Sequence, residues 1–245
     1  MIRNIKVLGL ALVAVFAFSA IAASAASAQN GRITSTGPVT LDGTEDGINA
    51  FTGFGAKVEC PNTVVTGHKT LTTKQTEEKL THELIPSGSS SFTLTLDLPA
   101  NCNAVEAGTN HRTTVTLNGC DFDIEILTQS GGIWPTRGSL VCPTGKDIEI
   151  EVYPFSGSEL GGVVCTFTIK PQSGKEGVHL TNGSLEEGGG VKRWDVTAAG
   201  AYKGFTATRS GSGCSTAEEN ASELDFNYTF KGTNNVSERT DVTVS

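Results

Sequence analysis

The chain has no CxxC pair, no Cys–His cluster at ligand spacing and no clustered run of Lys and Arg. The first two absences argue against a structural zinc site, which announces itself by such spacing. The third argues against nucleic acid, whose phosphates need grouped cationic side chains. There is no G-x-S-x-G nucleophile elbow and no phosphate-cradling glycine loop. His82-Glu83 begins like a zinc-protease helix but continues Leu84-Ile85-Pro86, so the second histidine is missing. The four histidines, His68, His82, His111 and His179, stand among polar residues with no partner at a ligand-like interval and read as surface residues. No catalytic residue, metal ligand or cofactor is expected from these searches.

What is present begins with an export signal. Arg3 and Lys6 precede an apolar run from Val7 to Ile21, followed by the small-residue tract 22-AASAASA-28. That order is the one of a secretory signal peptide, with cleavage after Ala28. The apolar run is shorter than the roughly 20 residues a membrane span needs. Residues 1–28 are therefore expected to be removed and 29–245 to form a secreted, extracellular domain without a membrane anchor. Loss of Arg3 and Lys6 moves the formal charge from −8 to −10. An acidity of that size suits solubility and disfavours nucleic acid and anionic membranes.

The rest is rich in Thr, Ser and Gly, and its dominant pattern is alternation of period two. In 91-SFTLTLDL-98, Phe92, Leu94, Leu96 and Leu98 share a face opposite Thr93, Thr95 and Asp97. In 146-KDIEIEV-152, Ile148, Ile150 and Val152 oppose Asp147, Glu149 and Glu151. Cys165, Phe167 and Ile169 repeat the pattern, as do Leu224, Phe226, Tyr228 and Phe230. Glycine-rich turns such as 131-GG-132, 156-SGSELGG-162 and 209-RSGSG-213 divide these runs. The expectation is an all-β fold, an antiparallel sandwich or barrel-like domain with disulfides. A smaller C-terminal subdomain from about Thr181 is an alternative division. The segment 72–90 departs from the pattern: Glu77 to Leu84 reads either as two helical turns or as a charged excursion.

The stretch 113-TTVTLNGCDFDIEI-126 places Asp121, Asp123 and Glu125 in an acidic row. Asn118-Gly119 is the sequence signal of a two-residue hairpin, in which both turn residues take positive φ. Such a hairpin would set Leu117, Val115 and Thr113 opposite Cys120, Phe122 and Ile124 on an inner face. Thr116, Thr114 and Arg112 would then face the three acids, with Arg112–Glu125 an exposed ion pair. On this reading the row is the wet side of a strand; a shallow Ca²⁺ site is the alternative, since hard cations take carboxylate oxygens. The loop 42-DGTEDG-47 imitates half of an EF-hand, but its twelfth position is Gly53 where a bidentate Glu is required, so it reads as a turn.

Six cysteines, Cys60, Cys102, Cys120, Cys142, Cys165 and Cys214, form an even set in an exported chain and read as three disulfides. The expected pairing is sequential: Cys60–Cys102, Cys120–Cys142 and Cys165–Cys214. Trp134, Tyr153 and Phe155 sit in or beside loops; they read either as a binding surface or as caps on the end of the core. Four N-x-[ST] triplets, at Asn182, Asn220, Asn227 and Asn235, would be glycan acceptors in a eukaryotic secretory pathway.

The runs 116-TLNGCDFDI-124, 140-LVCPTGKDIEI-150 and 165-CTFTIKPQ-172 resemble, in the same order, a group of secreted proteins encoded by soil actinobacterial genomes. The resemblance is best from Thr113 to Gln172. It implies a disulfide-bonded exported domain of bacterial origin, for which the glycan reading falls away, and it supplies no catalytic residue.

These readings converge on a non-enzymatic extracellular structural or interaction protein, with an extracellular polymer or cell-surface component as the class of partner. The alternative is a binding module for carbohydrate, lipid or peptide. A deep pocket of converging titratable groups would indicate an enzyme, and an apolar concavity a binding module.

Overall fold

The computed structural model describes residues 30–46, 49–61, 63–68, 84–98, 102–106, 109–154, 162–187, 191–234 and 238–245. The leader, residues 69–83 with His82 and most of the charged segment, Phe155 and Asn235 lie outside them.

After a short β1 (Ile33–Ser35), the chain makes eight long passes in alternating direction. Seven of these are two strands in succession. β2 (Thr40–Glu45) continues as β3 (Ala50–Gly53), β4 (Ala56–Glu59) as β5 (Val64–His68), and β6 (Ser91–Asp97) as β7 (Cys102–Glu106). β8 (Thr109–Thr116) continues as β9 (Asp121–Ile126), β10 (Trp134–Val141) as β11 (Ile148–Tyr153), and β12 (Cys165–Ile169) as β13 (Gln172–Glu187). β14 (Val191–Ser210) is one unbroken pass, and β15 (Ala217–Asp225) continues as β16 (Tyr228–Thr233).

All pairings are antiparallel, and they close two rings. In the first, β2-β5-β6-β9-β10-β13-β14-β16 returns to β2. In the second, β3-β4-β7-β8-β11-β12-β14-β15 returns to β3. The order of passes is the same in both, and β14 runs through both. The fold is thus one eight-stranded up-and-down barrel, interrupted around a seam where seven of the eight passes break. Closure removes the open sheet edges that invite association.

Alternation fills the interior. Phe122, Ile124 and Ile126 of β9, Ile148, Ile150 and Val152 of β11, and Cys165, Phe167 and Ile169 of β12 are all buried. Phe226, Tyr228 and Phe230 stack inside the first ring, with centroids 4.7 Å apart for Phe226–Tyr228 and 6.1 Å for Tyr228–Phe230. Thr181 lies mid-strand in β13 and Gly31–Ser245 is one compact unit, so no subdomain begins there.

The Asn118-Gly119 turn has the predicted backbone, with φ of 54° and 75° and Cys120 N donating to Leu117 O at 2.9 Å. It is not a hairpin. β8 pairs with β7 and β11, and β9 with β6 and β10, so the turn carries one pass across the seam. Its physical effect is a change of phase. Val115 and Leu117 face inward before it, Cys120 and Phe122 after it, so the extra residue keeps apolar side chains inside both rings. The inner-face assignment of this stretch stands, whereas its cross-strand partners do not.

The disulfides are Cys60–Cys102, Cys120–Cys142 and Cys165–Cys214, the sequential pattern. The first two brace the seam, because all four of their cysteines stand at breaks between consecutive strands of a pass. In the chain-entropy account each contributes about 3–4 kcal/mol.

The outer end of the first ring is sealed by the chain's own ends. β1 pairs with β18 (Val242–Val244), β17 (Arg239–Thr240) pairs with the end of β16, and Val39 and Ile85 exchange backbone hydrogen bonds at 2.9 and 2.8 Å. Ile33, Val39 and Ile85 are fully buried there. Gly31 passes so near the interior that a Cβ would meet Trp134 and Ile126 at 2.4 and 2.6 Å.

Candidate functional site

The outer surface of the barrel accounts for the acidic row. Thr93 Oγ1 donates to Asp123 at 2.7 Å and Thr95 Oγ1 to Asp121 at 2.9 Å, both from β6. Glu125 pairs with Arg137 of β10 at 3.1 Å, and Arg137 reaches Glu176 at the same distance. Arg112 instead lies in register with Asn103 and Tyr153, so the expected Arg112–Glu125 pair does not form. The reason is the topology: β8 and β9 are consecutive along one pass rather than neighbours. Among the described residues no group of three or more His, Cys, Asp or Glu is placed to hold a metal ion.

The first part of 42-DGTEDG-47 is strand rather than the expected turn. Thr40 to Glu45 is strand β2, and Asp42 and Asp46 accept hydrogen bonds from Thr233 and Thr229. Trp134 stands beside a turn, as expected, but is not exposed. It opens β10 on the inner face and is 8% exposed, because the Gly131-Gly132 turn ends before it. Tyr153 ends β11 half-buried, its hydroxyl donating to Glu151 at 2.9 Å. The structure therefore does not gather Trp134 and Tyr153 into an exposed aromatic surface. Of the four triplets, Asn182 uses its side-chain amide on both backbone groups of Val244, at 2.7 and 2.8 Å. Asn227 sits in the break between β15 and β16 and accepts from Gly200 N at 3.3 Å.

An apolar concavity lies at the seam. Leu96, Leu98, Val115, Leu117 and Leu224 face inward yet remain only half-buried, while Leu94, Phe122 and Ile150 a step or two away are fully enclosed. The exposed flanks of those five aliphatics line a cavity of about 80 Å³ between the two rings. Phe51, Phe122, Phe205, Phe226 and Tyr228 add aromatic surface to its wall, and Asp225 adds a carboxylate. The space exists because the passes break here, so residues that would fill the middle of an unbroken barrel are drawn into turns. Comparison with protein-family models, curated proteins and solved structures finds no match.

Polar groups enter the wall where three adjacent passes break, at the β2–β3, β4–β5 and β15–β16 junctions. Asn49 donates to Glu45 Oε1 through both its backbone N and Nδ2, each at 2.8 Å, and accepts from Asn227 N at 2.7 Å. Thr63 N donates to Glu45 Oε2 at 3.1 Å, and Thr63 Oγ1 donates to Cys60 O at 2.8 Å. Burial, with the nearby Glu45 charge, pushes the pKa of the Tyr228 hydroxyl above the ordinary 10.0. It therefore stays protonated and neutral across the physiological range.

None of the sequence readings pointed to this cavity. Its lining residues appear in the sequence as ordinary core. The one available signal was the recurrence of interruptions, Asn118-Gly119 and 142-CPTGKD-147 among them, inside otherwise continuous alternation.

Proposed function

We propose that the protein is an exported, non-catalytic binding module that takes a small apolar molecule, or the apolar end of a larger one, into the seam cavity. The observation that carries this reading is the set of inward-facing aliphatics left with accessible surface where the passes of the barrel break. Eight strands give an interior that side chains just fill or that holds one small ligand. Burying apolar surface there stabilises a complex by about 25 cal/mol per Å² before the costs of association. A cavity of about 80 Å³ suits a compact group rather than a whole lipid.

Three disulfides support an oxidising, extracellular setting. Among the described residues no helix is long and apolar enough to cross a membrane. The barrel's outward positions carry Asp121, Asp123, Glu125, Glu149 and Glu151, not the apolar band of a membrane barrel.

The test is thermal unfolding of the disulfide-bonded protein with benzene as probe, alongside Val115→Phe, which fills the cavity. Benzene should raise the melting temperature of the parent and leave that of the variant unchanged. An identical response of the two, or none in the parent, would overturn the reading.

A further inference from the structure

A second concavity opens on the outer surface, where the pass of β12 and β13 parts from β14. Ile169 of β12 is in register with Ala207, and pairing with β14 resumes only at Val178 of β13, opposite Gly200. Residues 170–177 of one pass thus face the shorter stretch 201–206 of the other. Pro171, at the break, has no N–H to offer a neighbouring strand. A side chain spans the gap instead. Gln172 Nε2 donates to Thr206 O and Gln172 Oε1 accepts from Thr206 N, both at 2.8 Å, and Nε2 also donates to Lys170 O at 3.1 Å. An amide in place of a backbone pair holds the two passes apart and leaves a cleft of about 230 Å³ beside it.

The walls of this cleft carry polar groups with nothing to hold. Thr168 and Thr208 are direct cross-strand partners, and Thr208 in turn opposes Glu218 of β15. Alternation against the buried Phe167, Ile169, Phe205 and Ala207 turns Thr168, Lys170, Thr206 and Thr208 outward. Among the described residues, the three threonine hydroxyls, the Lys170 ammonium and the Glu218 carboxylate make no hydrogen bond or ion pair within the protein. Lys170 and Glu218 stand at opposite corners, their backbones separated by two strand spacings, about 10 Å, and by two residues along the strand, about 7 Å.

A lone anion drawn to Lys170 would be repelled by Glu218, and a lone cation drawn to Glu218 would be repelled by Lys170. A sugar would find no aromatic ring in the lining on which to stack. A molecule that carries both charges, with polar groups between them, satisfies every free group. We infer that the cleft binds a short peptide with free termini, its carboxylate on Lys170, its ammonium on Glu218 and its peptide groups on the threonine hydroxyls, each of which both donates and accepts. The site lies on the outside of the barrel and is independent of any guest in the seam cavity.

The test is an NMR titration of the disulfide-bonded protein with triglycine, N-acetyl-triglycine and triglycine amide, repeated on Lys170→Met and Glu218→Gln. Both side chains are exposed and hold no other group, so these variants retain the fold. Triglycine should shift the backbone amides of Thr168, Gln172, Thr206 and Thr208. Blocking either terminus should weaken binding about 2- to 5-fold, the scale of one exposed ion pair. Lys170→Met should abolish the advantage of the free carboxylate and keep that of the free ammonium, and Glu218→Gln should do the reverse. No shift at the cleft amides, equal binding of the three peptides by the parent, or a preference for a terminus that survives removal of its partner would overturn the inference.

Discussion

Glu45 and Asn49 are joined by two hydrogen bonds of 2.8 Å, from the asparagine's backbone and side-chain nitrogens to one carboxylate oxygen. The other oxygen takes Thr63 N from the neighbouring break at 3.1 Å. One carboxylate thus satisfies donors that would otherwise pair in a continuous strand. It is the polar counterpart of the Cys60–Cys102 bridge, which ties the same β4–β5 break to the start of β7.

Glu45→Ala leaves those donors without partners and should destabilise the fold by about 2–4 kcal/mol. Glu45→Gln, which keeps an acceptor oxygen, should cost less than half as much. Equilibrium denaturation with an unchanged m-value is the measurement that separates lost stability from a changed native state.

A second carboxylate sits under different constraints. Asp195 is 1% exposed, and Arg239 donates to its Oδ1 at 2.9 Å. Arg239→Leu should cost about 3–5 kcal/mol, because it strands a charge in the interior. Loss of the exposed pair Arg137–Glu125 through Arg137→Ala should, by contrast, cost much less, because water screens both charges. Chemical denaturation of the two variants side by side tests that ordering.

The fold's stability should also fall in alkali. Burial raises the pKa of Tyr202, which is hydrogen-bonded to Thr136 at 2.8 Å, and burial with the Glu45 charge raises that of Tyr228. With folded values above the unfolded 10.0, ionisation favours the unfolded chain only above that pH. Stability is therefore unaffected by these groups below pH 10 and declines as pH rises beyond it, by about 1.4 kcal/mol per pH unit for each tyrosine. Tyr228→Phe should flatten the slope by about half. An unchanged slope would show that Tyr228 ionises without unfolding.

Much of the barrel is legible in the sequence because alternation writes the inner face directly. Phe122, Ile124 and Ile126 could be placed inside without knowing their neighbours. What alternation does not specify is which strand lies beside which. Asn118-Gly119 has the same backbone in a hairpin as in this seam, so the local signal was correct and the inferred pairing was not. Trp134 was ambiguous for a similar reason: the glycines before it mark a turn, and a turn does not say which residue begins the next strand. The disulfides followed their order in the chain because a meander brings consecutive passes together. The cavity had no signature, since an inward leucine reads the same whether its far side meets a side chain or a void.

The seam turn itself is testable. Asn118 holds a φ of 54° and its side chain donates to Asp147 O at 2.9 Å. Asn118→Gly keeps the backbone freedom and should cost about 1 kcal/mol for the lost hydrogen bond. Asn118→Val adds steric strain at positive φ and should cost at least about 1 kcal/mol more. Thermal unfolding of the two variants distinguishes them.

The central claim is that the two rings enclose a space at the seam that accepts an apolar guest. Diffraction from crystals pressurised with xenon tests it most directly, because xenon enters apolar cavities without needing any polar contact. A single strong peak bounded by Leu96, Leu117, Ile150 and Phe205 is the predicted result. Side chains closed over that position, with no peak there under pressure, would contradict it.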